Sequence, residues 1–334
     1  EDLQDAVGTR ENPIAIPGIC GIKIFMGVST GTLLVSDKIA LERIFTETAG
    51  LIAVHAEDED RMNERRKLVE GRTDIAAHAY YRDDITALLA TKLAVNLAHK
   101  TGHRLHILHL TSGIEADFLN DHCKLPSNTE GHPIITTEVL PQHLTFDETD
   151  VDEQGVRLQM NPPIRYKMDR DILWKRLIDG TIQCIATDHA PHTLEAKAKG
   201  FPHAPSGMPG VETSLAVMLN YVNQGKCSIE DVVRWMSSNV ADCYRMIGKG
   251  KLEEGYDGDI VLVDMNHSAV VEDENSWTRV GWNPFRGREL TGWPVLTVVE
   301  GIPVFERSAG TGQKGRLLVE PGSVGKPLLM EPWK

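Results

Sequence analysis

The sequence contains few cysteines, and none of them are closely spaced. The five stand at positions 20, 123, 184, 227 and 243, an odd number with no Cys-x-x-Cys pair among them. This pattern argues against a disulfide scaffold and against a zinc site built from cysteines. It favours a protein of a reducing compartment, and we expect a cytoplasmic location.

Long apolar runs and basic stripes are also missing. No run approaches the ~18 apolar residues that span a bilayer, and we expect neither a signal peptide nor a membrane partner. The 334 residues carry 35 basic and 48 acidic side chains, a formal charge of −13. A chain this acidic, without a basic stripe interleaved with aromatics, is a poor binder of nucleic acid. A small anionic substrate is still allowed, because a few local cations or metal ions outweigh a distant average charge.

The sequence does contain an alternation of β-rich and helical segments over residues 1–248. Nearly continuous apolar runs, typical of strands buried on both faces, lie at 21–26, 51–55, 105–110, 134–138 and 182–187. Among the helical patterns between them, one covers 84–100 before Gly102, and another begins with a capping-box sequence at Ser228 and runs to about Ile247. Such alternation predicts right-handed strand–helix–strand units in a parallel sheet or barrel.

Two further expectations concern the two ends of the chain. Residues 249–334 contain short strand patterns with no long helix between them, so we expect a small appended β unit there. The first seven residues resemble the middle of a helix without a cap. We therefore expect that an N-terminal part of the protein is missing from the sequence.

Four ionisable side chains lie in or at the ends of the predicted strands. Lys23 interrupts an apolar strand, and Asp188 follows another; His55 and His109 each end one. Because the carboxyl ends of the strands share one mouth in an α/β barrel, we expect these side chains to converge. Imidazole and carboxylate suit Zn²⁺ and similar ions. A buried lysine that loses its proton can react with CO₂, and the carbamate can bridge two metal ions about 3.5–4 Å apart.

Each residue alone also has a plainer interpretation. Lys23 is compatible with a paired lysine near a strand edge, His55 with a hydrogen-bonded core histidine, and Asp188 with a cap of the following turn. His106 and His109 point in different directions, so at most one is a ligand, and the strand-end position favours His109. The metal hypothesis depends on the occurrence of all four groups at strand ends.

Other segments are candidates for the same mouth. Residues 160–165 offer the amide of Asn161 and the guanidinium of Arg165, unless their Pro-Pro pair merely ends a strand. The Gly/Pro loop at 205–210 is either a plain connection or a holder of a carboxylate or carbonyl through free backbone N–H groups. Glu138 ends a strand. It is an additional metal ligand, a residue that supports the ligands, or a structural carboxylate. We expect the remaining histidines of interest to be solvated or structural: His78, His99, His103 and His143.

Several of these segments occur in the order found in dihydroorotases, cyclic amidases of the amidohydrolase superfamily. They lie at 21–27, 54–58, 105–109, 161–163, 186–193 and 282–294, and the resemblance covers about residues 20–305. The Asp-His-Ala-Pro-His-Thr block that begins at Asp188 is the most specific part. The related hydantoinases and allantoinases look similar overall but usually differ inside this block.

The resemblance implies an α/β fold of the amidohydrolase type, a (β/α)8 TIM barrel with a small β-sandwich. Residues 1–248 would form strands 4–8 of the barrel, and residues 249–334 part of the sandwich and a tail. The family has a His-x-His pair at the end of the first barrel strand, followed by a substrate-binding arginine, and this sequence has no such pair. The first three strands, roughly a hundred residues, would then be absent, and one metal would lack two ligands.

The resemblance also implies roles for the site residues. Lys23 would be an N6-carboxylysine that bridges two zinc ions, with His55 and His109 as ligands of one. Asp188 would bind the other zinc and transfer the proton, and Glu138 resembles a glutamate near the metals in some members. The substrate would contact the remaining site residues: Asn161, His192 and the backbone around Ser206 and Gly207. His189 is expected to be structural.

The implied reaction is the reversible cyclisation of N-carbamoyl-L-aspartate to L-dihydroorotate in pyrimidine biosynthesis. We expect a homodimer or higher homo-oligomer, with aspartate transcarbamoylase as a candidate partner. One alternative is a hydantoinase or allantoinase type of cyclic amidase. Another is a non-catalytic scaffold protein, which the retained lysine, histidines and aspartate argue against and the absent His-x-His pair leaves open.

Overall fold

The computed structural model describes residues 2–29, 33–123, 133–308 and 313–331. Within these ranges, no helix combines the length and the apolar character that a membrane crossing requires. The α/β fold class predicted from the sequence is confirmed, because a parallel sheet flanked by helices is followed by an antiparallel sheet.

The parallel sheet contains the five predicted strands in sequence order. Their bounds are β1 Ile22–Phe25, β2 Ile52–His55, β3 Leu105–Ile107, β4 Ile135–Val139 and β5 Cys184–Ile185. All neighbouring pairs are parallel, with Phe25 opposite His55 and Glu138 opposite Cys184. The carboxyl ends of the strands therefore lie along one edge, as expected from the sequence. The strands at 105–110 and 182–187 are shorter than predicted, because the chain leaves the extended conformation before reaching His109 and Asp188.

Helices precede, connect and follow these strands. Their bounds are α1 Asp2–Val7, α2 Lys38–Glu47, α3 Glu59–Arg66, α4 Ala76–Tyr81, α5 Asp84–Thr101, α6 Gly113–His122, α7 Pro141–Thr145, α8 Glu148–Gln154, α9 Lys167–Ile178, α10 Leu194–Lys197, α11 Ser214–Asn223, α12 Ile229–Val233 and α13 Asn239–Tyr244. Short 3-10 turns occupy Lys67–Val69, Gly155–Leu158 and Asp273–Asn275, and a π turn at Arg234–Ser238 joins α12 to α13.

Capping explains where the two predicted helices begin and where the first one ends. The Asp83 side chain accepts a hydrogen bond from the Thr86 backbone at the start of α5, and Gly102 ends it in the left-handed conformation with φ 65°. Ser228 starts α12 through a reciprocal capping box with Asp231. Both helix starts predicted from the sequence are thus confirmed, whereas the second helical stretch contains the π turn at Arg234–Ser238 and ends at Tyr244 rather than near Ile247.

The antiparallel sheet has the order β6-β7-β8-β9. Its strands are β6 Ile260–Val270, β7 Glu289–Val299, β8 Ile302–Glu306 and β9 Arg316–Leu317. Strand β7 packs on α11 so closely that a Cβ at Gly292 would lie 2.7 Å from Leu219 Cβ. Trp282 and Trp293 belong to the same hydrophobic core as β2 and β3. A boundary at residue 248 stays a prediction, because this core continues across it.

Candidate active site

Two buried histidines face each other at the carboxyl edge of the parallel sheet. His55 is the last residue of β2, and His109 lies two residues beyond β3; they are 1% and 4% exposed. The Nδ1 atom of His55 is 3.1 Å from Nε2 of His109, with the rings at 72° to each other. The other nitrogen of His109, Nδ1, forms no hydrogen bond within the described residues. The strand-end pattern therefore brings together the two histidines predicted to share a metal ion.

A buried carboxylate orients the first of these rings. His55 Nε2 is 2.8 Å from Glu57 Oε2, and Glu57 is fully buried. The pKa of Glu57 is held at about 2, because Arg82 and His55 outweigh the effect of burial, which raises it. The ionised carboxylate accepts a hydrogen bond from the Nε2–H group, and this leaves the lone pair on Nδ1 facing His109. A carboxylate behind a histidine is a common support of metal ligands.

The pair fits a divalent cation. Burial and the neighbouring His55 and Lys23 lower the pKa of His109 well below its usual value, so its ring is neutral at physiological pH. Neutral imidazole is the form that binds metal ions. Two ring nitrogens 3.1 Å apart present a donor set on which a single cation can be held. Among the described residues, no group of three or more His, Cys, Asp and Glu side chains is arranged to hold a metal ion. The histidine pair would need a further ligand of another kind.

Lys23 on β1 and Asp188 after β5 lie beside the pair, at the same carboxyl edge of the sheet. Both residues are solvent-accessible, yet surrounding protein desolvates their charged groups, as in a concave cleft. Desolvation lowers the pKa of Lys23, although the charges of Asp188 and Glu138 oppose this. It raises the pKa of Asp188, which Lys23 and His55 partly offset. The Lys23 ammonium lies 4.6 Å from the centre of the Phe25 ring.

Backbone conformation aims two of these side chains. His109 and Asp188 have φ values of 37° and 41°, in the left-handed region that residues other than glycine seldom adopt. Such conformations cost about 1–3 kcal/mol each and cluster at functional sites. Next to Asp188, the ring of His189 accepts hydrogen bonds from the backbone N–H groups of Gly210 and Val211. This agrees with the structural role expected for His189.

Glu138 holds the loop that carries His109. Its Oε2 atom is 3.0 Å from His106 Nε2, and its Oε1 atom accepts a hydrogen bond from the His109 backbone N–H. His106 itself points away from the histidine pair, towards Thr136 and Glu138, as the sequence predicted. Since both oxygens of Glu138 have partners, the contacts favour the supporting role over that of an additional ligand.

The predicted substrate-binding residues lie along a neighbouring wall. Asn161 and Ser206 border a cavity of about 680 Å³. His192 contacts the Ser206 carbonyl oxygen through Nε2 at 3.1 Å. The Gly207 backbone N–H donates to the Gln159 carbonyl oxygen at 2.9 Å. The Gly207 N–H group is therefore engaged within the protein, because the loop folds back on the segment before Asn161, and the role of the other N–H groups of this loop stays a prediction.

Sequence reasoning missed the residues that support this wall. His78, expected to be solvated or structural, is 4% exposed and lies 3.0 Å from Asn161 Oδ1 through its Nε2 atom. Arg82 forms a buried ion pair with Glu57. Arg165 was considered for its guanidinium, which instead donates to Thr111 Oγ1 and to the Arg82 carbonyl oxygen. The only sequence signal was the position of Glu57 two residues after a strand-end histidine.

Comparison with known proteins gives consistent matches. The model of the amidohydrolase family matches residues 21–304. The chain is 32% identical over 299 residues to a dihydroorotase of Halobacterium salinarum, covering 88% of this chain and 67% of that one. It is 33% identical over 302 residues to a dihydroorotase of Pyrococcus horikoshii, covering 90% and 64%. The chain thus spans about two thirds of the length of these relatives.

Solved structures match over a similar extent. The L-hydantoinase (dihydropyrimidinase) of Arthrobacter aurescens superimposes with a TM-score of 0.82 at 30% identity, covering 90% of this chain and 66% of that one. A dihydropyrimidinase of Brevibacillus agri gives a TM-score of 0.77 at 28% identity, covering 86% and 64%.

Proposed function

Because this chain belongs to the amidohydrolase family, we propose that it provides the acid–base and substrate-binding part of a dihydroorotase. The reaction is the reversible cyclisation of N-carbamoyl-L-aspartate to L-dihydroorotate, a step of pyrimidine biosynthesis. The observation that carries the proposal is the convergence of His55 Nδ1 and His109 Nε2, with Lys23 and Asp188 at the same edge. The names of the relatives that match in sequence support this substrate.

The proposed metal centre contains zinc, two ions per subunit. His55 and His109 would hold one ion, Asp188 the other, and Lys23 in its carboxylated form would supply the shared ligand that the histidine pair needs. The lowered pKa of Lys23 supports this, because only the neutral amine reacts with CO₂. When bound, such ions make hydroxide available near neutral pH and polarise a carbonyl oxygen.

Asp188 is the proposed proton carrier. Its carboxylate takes the proton of the attacking water and delivers it to the ring nitrogen that leaves, and the same steps run backwards in cyclisation. A raised pKa suits this task, because the carboxyl group must hold the proton between the two transfers. Asn161 and His192, with the loop at Ser206 and Gly207, would orient the substrate.

The variant Asp188→Asn tests the assignment. In the complete gene product, we expect hydrolysis of dihydroorotate to fall at least a hundredfold, the lower range for loss of a general acid–base. Metal content is measured in parallel by elemental analysis, so that lost metal and lost proton transfer are told apart. His99→Asn is the matched control, because His99 lies on the exposed side of α5. Near-wild-type turnover by Asp188→Asn with its metals present would refute the role.

A second candidate function has a specific observation in its favour. Two solved structures that match in shape are named hydantoinase and dihydropyrimidinase rather than dihydroorotase. Turnover of dihydroorotate, hydantoin, dihydrouracil and allantoin by the complete gene product decides between the two. A non-catalytic scaffold protein would show neither turnover nor bound metal. Self-association and association with aspartate transcarbamoylase stay predictions.

A further inference from the structure

His78 is a buried histidine that the proposed mechanism does not use. It lies in α4, 4% exposed, with its ring against Tyr81 and Phe201 at centroid distances of 5.7 and 6.1 Å. Its Nε2 atom is 3.0 Å from Asn161 Oδ1. Burial and the charge of Arg82 lower the pKa of His78 to about 3, so the ring is neutral at physiological pH and carries one N–H group.

This contact fixes which end of the Asn161 amide is free. An amide has an acceptor oxygen and a donor NH₂ group, and a neutral imidazole can donate to the former. With Oδ1 engaged by His78, the NH₂ group remains, and it forms no hydrogen bond to any described residue. Asn161 borders the cavity of about 680 Å³, so a ligand in that cavity meets a donor rather than an acceptor.

The charge of the cavity wall agrees with an anionic ligand. Arg66 and Lys67 border it, and within the described parts of the chain neither forms an ion pair with a carboxylate. Glu70 is the one acidic side chain among the described residues that border this cavity. The cations and the Asn161 donor thus face the same space.

We propose that His78 is a specificity-determining positioning residue, which holds Asn161 with its NH₂ group towards the cavity and so favours cyclic amides that carry a carboxylate. This inference rests on the proposed function, because it takes Asn161 as a substrate contact. It separates dihydroorotate, which has a ring carboxylate, from dihydrouracil, which has none. If His78 were absent, the amide could rotate and present its oxygen, and the carboxylate would meet an acceptor.

The test compares three variants of the complete gene product. His78→Phe keeps a ring between Tyr81 and Phe201 but loses the donor, whereas His78→Gln places an amide N–H near the former Nε2 position. His103→Phe is the matched control, because His103 is equally buried, with its ring nitrogens 3.0 and 3.1 Å from the Arg104 and Thr48 carbonyl oxygens at the amino end of β3. Urea midpoints identify any variant that is simply less stable.

We expect His78→Phe to raise the KM for dihydroorotate about tenfold, the loss of one hydrogen bond to a charged group, with kcat changed less than about threefold. The inhibition constant of orotate should rise by the same factor and that of uracil should not. His78→Gln should recover most of the loss, and His103→Phe should leave the ratio of the two inhibition constants unchanged. If His78→Phe does not fold, His78→Asn also loses the contact, because its amide is too short to reach Asn161.

The possible outcomes distinguish a failure of the proposed role of His78 from a failure of the proposed dihydroorotase function. If the wild-type protein does not turn over dihydroorotate, the proposed function is wrong and the inference fails with it. If it does, and the His78 variants bind orotate and uracil in the wild-type ratio, only the inference is overturned. An equal change of that ratio in His103→Phe would also overturn it, because the effect would then be a general consequence of lost stability.

Discussion

The buried ion pair of Glu57 and Arg82 allows a sharp prediction about stability. Glu57 is fully buried and Arg82 is 2% exposed, and they are in direct contact. Arg82 also donates to the Val28 carbonyl oxygen at 2.6 Å and to the Tyr81 hydroxyl at 3.0 Å. Glu57 in turn holds His55. The variant Arg82→Met keeps the aliphatic length of the side chain and leaves the Glu57 carboxylate buried without its main countercharge.

The expected cost follows from that uncompensated charge. Removal of one partner of a buried pair destabilises a protein by about 3–5 kcal/mol. The Arg43–Glu47 pair on α2 is the matched control, because its side chains are 69% and 44% exposed. Arg43→Met should cost less than about 0.5 kcal/mol, as is usual for exposed pairs on a helix. The two arginine substitutions should thus differ severalfold in effect.

Urea unfolding in the presence of a chelator measures this without a contribution from bound metal. The double variant Glu57→Gln/Arg82→Met should be less destabilised than Arg82→Met alone, because it removes the stranded charge together with its partner. A loss below about 1 kcal/mol for Arg82→Met would refute the reasoning, because the value expected from a buried pair is several times larger. So would a double variant that is less stable than Arg82→Met.

Two further predictions concern the substrate wall. Gly207 has φ +133°, and a Cβ there would lie 2.4 Å from the Ala190 carbonyl oxygen. Gly207→Ala should therefore displace the loop and lower kcat/KM at least about tenfold. Gly200→Ala is the control, because Gly200 has φ +70° with open space around it, and it should leave kcat/KM within about twofold. Lys197 is 1% exposed, donates to the Gln159 carbonyl oxygen, and has a pKa lowered to about 7 by burial. Between about pH 7 and 10.5, Lys197 keeps its proton in the unfolded chain but has lost it in the folded protein. The free energy of unfolding of the wild type should therefore rise with pH by up to about 4–5 kcal/mol across this window. Urea midpoints of Lys197→Met, measured across the same window, should lack this rise.

The sheet was predictable because its strands are buried on both faces. Apolar runs at 51–55 and 134–138 have no amphipathic alternation, and in the structure β2 and β4 are buried along nearly their whole length. The amidohydrolase type of fold, expected from the order of the motifs, is confirmed by the family match. Strand lengths were less predictable, because the departure from extended structure before His109 depends on contacts with Glu138, a neighbour on another strand.

The sequence predicted the site residues that lie at or near strand ends, but not those that lie elsewhere. His55 ends β2 and His109 lies two residues beyond β3, so the parallel pairing of these two strands brings them close together. His78 lies in α4 and Arg82 directly follows it, between β2 and β3, and neither residue ends a strand. Their burial is a property of tertiary packing against Glu57 and Asn161, far away in sequence, so no local pattern could reveal it.

His78 and Arg82 belong to one turn of the chain, which links the substrate side of the site to the metal side. His78 and Arg82 are four residues apart, a spacing that places side chains on one face of a helical turn. The first holds Asn161 on the substrate side, and the second neutralises the carboxylate that orients His55 on the metal side. The Arg82 carbonyl oxygen also accepts a hydrogen bond from Arg165, which follows Asn161 by four residues. A displacement of α4 would therefore disturb metal binding and substrate binding together, whereas loss of the His78 donor alone should change KM and spare the metal. For this reason His78→Phe keeps a ring between Tyr81 and Phe201 and removes only the hydrogen-bond donor.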